Sequence, residues 1–318
     1  MVVRYSSHNP LISNRYHYII THIHYDPNMS FLVFICGSKY YSTPPSSEGK
    51  IVPCKKGVFG GDRLTVAAEI VDIVSRAGDI ILSKIDSGFS IQHKGAIDLV
   101  TDADKASEEF ITNELGKRFP HVAILGEEQG LTGSKDAESM WIIDPLDGTT
   151  NFAHGNPHFC ISVALAKAGQ PVLGVVYDPA AKEMFTALAG GGAYLNGKPI
   201  KVSSIQKLQH SLFVTGFPYD AATRKANVAV FGRIMQASQG VRVMGSAALD
   251  LCYVACGRVE AYWERAINAW DIAAGSLMVA EAGGRVSSYG GDELNLFEGE
   301  VLATNGLVHG QLMTMLDG

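Results

Sequence analysis

Residues 141–152 read W-I-I-D-P-L-D-G-T-T-N-F, and this stretch organises the rest of the chain. The apolar run Trp141–Ile143 is typical of a buried strand, and we expect the strand to end at Asp144. Pro145 supports this boundary because its ring fixes φ and it has no N–H to donate to a sheet. The sequence therefore predicts a sharp turn at the end of a buried strand, with acidic residues on that turn.

The turn carries groups that suit both a cation and an anion. Asp144 and Asp147 lie three residues apart across the proline, so that their carboxylates can converge on one point. Carboxylate and carbonyl oxygens are the ligands that hard divalent cations such as Mg2+ prefer. Gly148 and Thr149 follow, and their backbone N–H groups could face an anion. The alternative is a turn without chemistry, because Asp-Pro and Asp-Gly dipeptides are common in loops.

Composition limits the classes of partner. The chain has 318 residues, of which 47% are hydrophobic and 18% charged, enough for one or two domains with a large core. The net charge is −6 and there is no basic stripe, which argues against nucleic-acid binding. An acidic protein that acts on an anionic substrate needs a bound cation to reverse the local field. No apolar run reaches the length of a membrane span, so we expect no membrane partner.

The cysteine pattern indicates a reducing compartment. The five cysteines are Cys36, Cys54, Cys160, Cys252 and Cys256. Their number is odd and none belongs to a C-x-x-C pair, so neither a disulfide framework nor a zinc site is expected. Cys252 and Cys256 lie four residues apart on a predicted helix, where core packing explains them. We therefore expect a cytoplasmic protein.

Residues 1–61 differ in composition from the rest of the chain, with many tyrosines and histidines and few acids. We interpret them as an atypical N-terminal extension that is poorly ordered, with Met29 as an alternative start. His22 and His24 have no carboxylate nearby, so we do not expect them to bind a metal. The remaining residues, 62–318, then form the catalytic domain.

Helical periodicity is clearest over Leu64–Ile85, where apolar residues recur at three- and four-residue spacing. A second helix is predicted over Lys105–Phe119, with Asp104 as its N-cap. Three further helices are predicted: 222–238, 246–257 with Ser246 as its cap, and 272–281, a segment of small residues with Asp271 as its cap.

Short apolar segments separated by turn residues predict strands throughout the chain. They lie at 121–125, 141–143, 159–166, 172–177, 183–187, 193–195, 200–202, 212–216, 241–244, 259–264, 285–287 and 300–304. The first of these strands runs into Gly126-Glu127-Glu128, a second acidic tip that neighbouring strands could bring close to Asp144. A solvated loop is the alternative explanation of that tip.

Five motifs, taken together and in this order, resemble the inositol monophosphatase family over residues 62–316. They are D-L-V-T-D-A-D (98–104), G-E-E (126–128), W-I-I-D-P-L-D-G-T-T-N-F (141–152), G-S-A-A-L-D (245–250) and W-D-I-A-A-G…E-A-G-G (270–284). The resemblance implies a Mg2+-dependent, lithium-sensitive phosphomonoesterase. It also implies an α+β fold, a layered α-β-α-β-α sandwich of the inositol monophosphatase and fructose-1,6-bisphosphatase type, and a homodimer.

The same resemblance implies two to three Mg2+ ions in each site. Glu127, Asp144 and the carbonyl of Leu146 are expected to hold the first ion. Asp144, Asp147 and Asp271 are expected to hold the second, with Asp144 bridging the two. A weaker third ion would rest on Glu127 and water molecules.

The resemblance further implies which residues meet the substrate. Asp147 with the backbone N–H groups of Gly148 and Thr149 should cradle the phosphate. Thr149 should orient the attacking water together with Asp104, which makes these two residues catalytic alongside Glu127.

The remaining implied contacts lie around the leaving group. Ala247 and Glu264 should meet the hydroxyl face of the substrate. Lys94 resembles the basic residue of the family's mobile N-terminal loop, although its spacing to Asp98 is one residue shorter than in the animal enzymes.

Thr150-Asn151-Phe152 resembles the branch of the family that hydrolyses inositol monophosphates. Some prokaryotic members that act on fructose 1,6-bisphosphate share this form, so this substrate and other sugar phosphates stay open. A non-catalytic interaction protein on the same fold is the alternative from another class. Loss of any of the four acids would favour it, but Glu127, Asp144, Asp147 and Asp271 are all present.

No nucleophile–histidine pair accompanies the motifs, so we expect hydrolysis by a metal-activated water.

Overall fold

The computed structural model describes residues 2–3, 63–95, 99–218 and 221–316. The predictions for the N-terminal extension therefore lie outside the described residues, except at a two-residue strand, Val2–Val3, which pairs antiparallel with Phe89 and Ser90. Asp98, at the start of the first family motif, also lies outside them.

The secondary structure alternates between helices and short strands along the chain. The helices are α1 (Arg63–Ser87), α2 (Asp102–Arg118), α3 (Thr149–Ala153), α4 (Ala221–Ala237), α5 (Ala247–Ala255), α6 (Ala269–Glu281) and α7 (His309–Leu316). The strands are β1 (Val2–Val3), β2 (Phe89–His93), β3 (Leu99–Thr101), β4 (Ala123–Gly126), β5 (Gly130–Thr132), β6 (Ser139–Asp147), β7 (Cys160–Lys167), β8 (Gln170–Asp178), β9 (Glu183–Leu188), β10 (Gly192–Leu195), β11 (Lys198–Pro199), β12 (Leu212–Thr215), β13 (Gly240–Arg242), β14 (Ala261–Arg265), β15 (Arg285–Ser287) and β16 (Glu300–Thr304).

Two sheets form the frame of the molecule. The larger sheet has eight strands in the order β11-β10-β9-β8-β7-β6-β4-β5, and β4 runs parallel to β6 while the other pairs are antiparallel. The smaller sheet has five strands in the order β13-β12-β14-β16-β15, in which β12 is parallel to both β13 and β14. Both sheets are therefore mixed.

Three apolar clusters hold the layers together. Helices α1 and α2 pack on one face of the larger sheet, around residues such as Ile70, Ile111 and Trp141. Helices α5 and α6 lie between the two sheets, and α4 and α7 cover the outer face of the smaller one. The predicted α-β-α-β-α layering is confirmed. Among the helices in the described ranges, none combines the length and the apolar composition of a membrane span.

The organising stretch differs from the prediction in one respect. Strand β6 does not end at Asp144 but continues to Asp147, and its register with β7 shifts between those two residues. Pro145 cannot donate to the ladder, so the pairing is interrupted there and resumes where Asp147 faces Cys160. The irregular segment turns both carboxylates out of the regular alternation of the strand.

Two predicted helix caps are also wrong. Thr101 is the N-cap of α2, and the carboxylate of Asp104 accepts the backbone N–H of Thr101 at 2.8 Å. Asn268 is the N-cap of α6, and Asp271 accepts its N–H at 2.7 Å. Each aspartate thus occupies the third helical position of a capping box, where an acid reaches back to the N-cap.

Other predictions differ less. The predicted strand over 200–202 is wrong, because the short strand there is β11, two residues earlier. Cys160, Cys252 and Cys256 are free thiols, and Cys252 is fully buried in the core between the sheets, as expected.

Candidate active site

Three aspartates from two distant parts of the chain converge at one end of the layer between the sheets. Asp144 and Asp147 come from the irregular end of β6, and Asp271 comes from the first turn of α6. Carboxylate oxygens of the three lie within 4.8 Å of one another. We call this group the aspartate cluster.

Backbone and hydroxyl donors fix the orientation of two carboxylates in the cluster. Asp147 Oδ2 accepts hydrogen bonds from Ser246 Oγ and from the backbone N–H of Ala248, each at 2.7 Å. Asp144 Oδ1 accepts the N–H of Leu146 at 3.0 Å. Since these donors occupy one oxygen of each carboxylate, the other oxygen of each can face a shared ligand.

The electrostatics of the aspartate cluster favour a bound cation. Burial raises the pKa of Asp144 well above its usual range, and the charges of Glu127, Asp147 and Asp271 raise it further. Burial and the charge of Asp147 likewise raise the pKa of Asp271 well above its usual range. Burial also raises the pKa of Asp147, against the hydrogen bonds from Ser246 and Ala248. A divalent cation would offset this repulsion, and the all-oxygen donor set fits a hard ion.

Glu127 lies outside the aspartate cluster, on the turn between β4 and β5, but acts on it electrostatically. Its Oε1 is 3.0 Å from Lys94 Nζ, which also contacts the carboxylate of Glu128. Burial raises the pKa of Glu127 to about 7, against the charge of Lys94. Lys94 therefore reaches the second acidic tip from the segment that follows β2.

Glu108 holds this acidic tip in place, although the sequence motifs do not point to it. Its side chain is fully buried and accepts the backbone N–H groups of Glu128 and Gln129, each at 2.8 Å. Gly126 is required beside it, because a Cβ at that position would lie 2.1 Å from Glu108 Oε1. The available signal in the sequence was the position of Glu108, three residues before Ile111 and seven before Leu115, which places a charged residue on the apolar face of α2.

A hydrogen-bonded chain runs from α2 to the start of α3. The hydroxyl of Thr149 lies 2.9 Å from Asp104 Oδ1 and 3.0 Å from the carbonyl oxygen of Leu146. The other oxygen of Asp104 accepts the N–H and hydroxyl of Thr101. Burial raises the pKa of Asp104 to about 6, although these hydrogen bonds lower it. The Thr149 hydroxyl is therefore placed between a carboxylate and a carbonyl that borders the aspartate cluster.

Gly148 is the N-cap of α3 and has a φ of 95°, which side chains with a Cβ rarely adopt. A Cβ here would also lie 2.9 Å from the carbonyl oxygen of His158 and 3.2 Å from that of Gly245. Thr149 opens α3, and the first N–H groups of a helix have no acceptor within the helix. The glycine thus permits a close approach of three chain segments beside Asp147.

Glu264 faces the same region from β14. Its Oε2 lies 2.5 Å from the hydroxyl of Tyr262, and burial raises the pKa of Glu264 to about 8. The charge of Glu264 contributes to the raised pKa of Asp271. Ala247 opens α5, next to the Ser246 hydroxyl that binds Asp147. The residues expected around a leaving group thus border the aspartate cluster on the side of the smaller sheet.

The chain is similar in sequence to inositol monophosphatases from several organisms. The sequence matches the inositol monophosphatase family over residues 62–317. The chain is 47% identical over 265 residues to the inositol-1-monophosphatase of Synechocystis sp., which covers 82% of this chain and 92% of that protein. It is 42% identical over 252 residues to the inositol monophosphatase of Dictyostelium discoideum, with 77% and 93% covered.

Solved structures agree with this result. The inositol monophosphatase from Anabaena (Nostoc) sp. superimposes with a TM-score of 0.73 at 43% sequence identity, covering 80% of this chain and 95% of that one. The family match, the fold and the acidic cluster therefore all indicate a metal-dependent phosphatase. This chain belongs to the inositol monophosphatase family, a family of metal-dependent phosphatases, and is a phosphoric monoester hydrolase.

Proposed function

We propose that the protein hydrolyses inositol monophosphates to inositol and phosphate with the help of Mg2+ and is inhibited by lithium. The observation that carries the proposal is the aspartate cluster, three carboxylates within 4.8 Å built from two separate family motifs. The relatives named above as inositol monophosphatases support the choice of substrate. Fructose 1,6-bisphosphate and other sugar phosphates are the runners-up.

The residues divide into two overlapping sets of metal ligands. Glu127, Asp144 and the carbonyl of Leu146 would hold one Mg2+, and Asp144, Asp147 and Asp271 a second. A third ion would rest on Glu127. When bound, such ions supply a water of lowered pKa and neutralise charge on the phosphate.

The chain's own groups then position the reactants. The Thr149 hydroxyl, held between Asp104 and the Leu146 carbonyl, would orient the water for attack. The N–H groups of Gly148 and Thr149 would face the phosphate oxygens beside Asp147, as at other helix starts. Glu127, Thr149 and Asp104 are thus the proposed catalytic residues. Since positioning and charge stabilisation dominate phosphoryl transfer, no covalent nucleophile is required.

The leaving group would lie against Ala247 and Glu264, where a carboxyl oxygen can accept hydrogen bonds from ring hydroxyls. Lys94, which forms ion pairs with Glu127 and Glu128, would contact the substrate from the loop that follows β2. These contacts favour a polyol over a simple phosphate ester.

Three further features are proposed with this function. Residues 62–318 form the catalytic domain, because the family match covers residues 62–317. A homodimer follows from the family resemblance, and light scattering of the purified protein tests it. A reducing cytoplasm is proposed from the cysteine pattern, which the free thiols of Cys160, Cys252 and Cys256 support.

The decisive experiment removes one shared ligand. We expect Asp144→Asn to lower Mg2+-dependent phosphate release from inositol 1-phosphate by more than about 100-fold. Loss of a residue that only hydrogen-bonds to a metal ligand costs about 10- to 100-fold, and Asp144 is itself a proposed ligand. Asp136→Asn, on an exposed loop, is the matched control and should retain wild-type activity. Most of the activity surviving in a folded Asp144→Asn protein would contradict the metal role. Fructose, histidinol and adenosine phosphates assayed in parallel, with and without lithium, would rank the substrates.

A further inference from the structure

Two neighbouring strands of the smaller sheet meet at Glu264 in an unusually close contact. Thr215, the last residue of β12, donates its hydroxyl to the carbonyl oxygen of Trp263 at 2.5 Å. The next residue is Gly216, and a Cβ there would lie 2.0 Å from Glu264 Oε2 and 2.5 Å from Oε1. The Glu264 carboxyl group thus lies directly on the glycine backbone, in a space that no other residue would leave open.

Tyr262 fixes the carboxyl group from the other side. It lies two residues before Glu264 on β14, so both side chains point to the same face of the sheet. The ring of Tyr262 is fully buried among the residues between the two sheets. Burial raises the pKa of Tyr262 well above its usual range, so that the phenol keeps its proton and donates it to Oε2 at 2.5 Å.

The two oxygens of Glu264 therefore have different environments. Oε2 is held by the phenol, whereas in the described part of the chain no hydrogen bond reaches Oε1. A carboxyl oxygen that has no donor can accept a hydrogen bond from a hydroxyl of a ligand. Glu264 is partly buried, so part of its side chain remains exposed.

We propose that Tyr262 is a positioning residue for polyol recognition: its hydroxyl holds one oxygen of Glu264 so that the other accepts a hydrogen bond from a hydroxyl of the substrate's leaving group. The inference rests on the proposed function, in which Glu264 meets the leaving group. Tyr262 would act only through Glu264, and Gly216 supplies the room for this arrangement.

The test compares two substrates in the full-length enzyme with Mg2+. Inositol 1-phosphate carries ring hydroxyls next to its ester, whereas p-nitrophenyl phosphate has none on its leaving group. We expect Tyr262→Phe to lower the ratio of kcat/KM for inositol 1-phosphate to that for p-nitrophenyl phosphate by about tenfold, mainly through a higher KM for inositol 1-phosphate. This magnitude is typical of one hydrogen bond.

Two further variants exclude a merely structural effect. Tyr194→Phe also removes one tyrosine hydroxyl, which donates to the Gly191 carbonyl at 3.0 Å on another sheet, and should leave the ratio unchanged. In a Glu264→Gln background, Tyr262→Phe should change the ratio by less than about twofold, because residues that act through one another are not additive.

The outcomes separate this inference from the proposed function. An equal fall for both substrates, an unchanged ratio, or a full effect of Tyr262→Phe in the Glu264→Gln background would each overturn the role of Tyr262. If the wild-type enzyme prefers fructose 1,6-bisphosphate to inositol 1-phosphate, the proposed substrate is wrong. The same ratio, measured with fructose 1,6-bisphosphate in place of inositol 1-phosphate, then decides the role of Tyr262.

Discussion

Replacing Asp271 with asparagine should have opposite effects on stability with and without metal. In the metal-free protein, Asp271 adds a half-buried ionisable carboxyl group with an oxygen within 4.8 Å of carboxyl oxygens of Asp144 and Asp147. The raised pKa of Asp271 reflects its burial first and then the charge of Asp147. The Asp271→Asn variant would keep the hydrogen bond from the backbone N–H of Asn268, because an amide oxygen can accept the same donor.

The expected magnitude follows from Coulomb's law. Two unit charges about 4.8 Å apart repel by about 3 kcal/mol at an effective dielectric constant of about 20. Partial protonation of the cluster relieves some of this repulsion, so we expect Asp271→Asn to stabilise the chelator-treated protein by about 1–3 kcal/mol. In a protein of this size, each kcal/mol raises Tm by about 2–4 °C.

Magnesium should reverse the order of stability. Mg2+ at about 100 times its Kd would stabilise the native state by about 2.7 kcal/mol. Asp271→Asn largely loses this gain because it lacks one of the carboxylates proposed to hold the ion. Thermal unfolding of wild type, Asp271→Asn and the control Asp136→Asn, each in EDTA and in saturating Mg2+, measures both effects. The reasoning fails if Asp271→Asn melts below wild type in EDTA, or if Mg2+ raises the Tm of both proteins equally.

Thr149→Ala should lower kcat more than it raises KM. The reason is that the Thr149 hydroxyl, which lies between Asp104 and the Leu146 carbonyl, is proposed to orient the water rather than to bind substrate. Steady-state kinetics that show only a higher KM would argue against this role. Acidification should destabilise the protein through His309. Burial lowers the pKa of His309 from 6.5 to about 4. Its two ring nitrogens contact the hydroxyls of Ser287 and Thr304 at 2.9 and 3.0 Å. Because the unfolded state binds the proton more tightly, the stability present above about pH 6.5 is lost as the pH falls toward about 4, by about 2 kcal/mol between pH 7 and pH 5. Urea unfolding of wild type and His309→Gln across this range measures the difference, and equal pH slopes would refute the assignment.

The sequence predicted most elements whose identity rests on local pattern. The periodicity over Leu64–Ile85 matches α1, which buries residues such as Ile70, Val74 and Ile81. Such a pattern is reliable because one face of a surface helix must pack on a core. Prediction failed at the two helix starts, where an aspartate was assigned to the cap. A capping box also contains an acid at its third position, and the sequence alone does not separate the two placements.

The candidate chemical groups could be read from the linear sequence: the acids around Pro145, the glycine that follows them, and the motifs of the family. The groups that orient those acids became visible only in the folded chain, since Ser246 reaches Asp147 across 99 residues and Glu108 reaches the backbone of Glu128 across 20. Local periodicity specifies which face of an element is apolar. The partner of a buried polar group is chosen by how the layers pack, and no spacing along the chain records that choice.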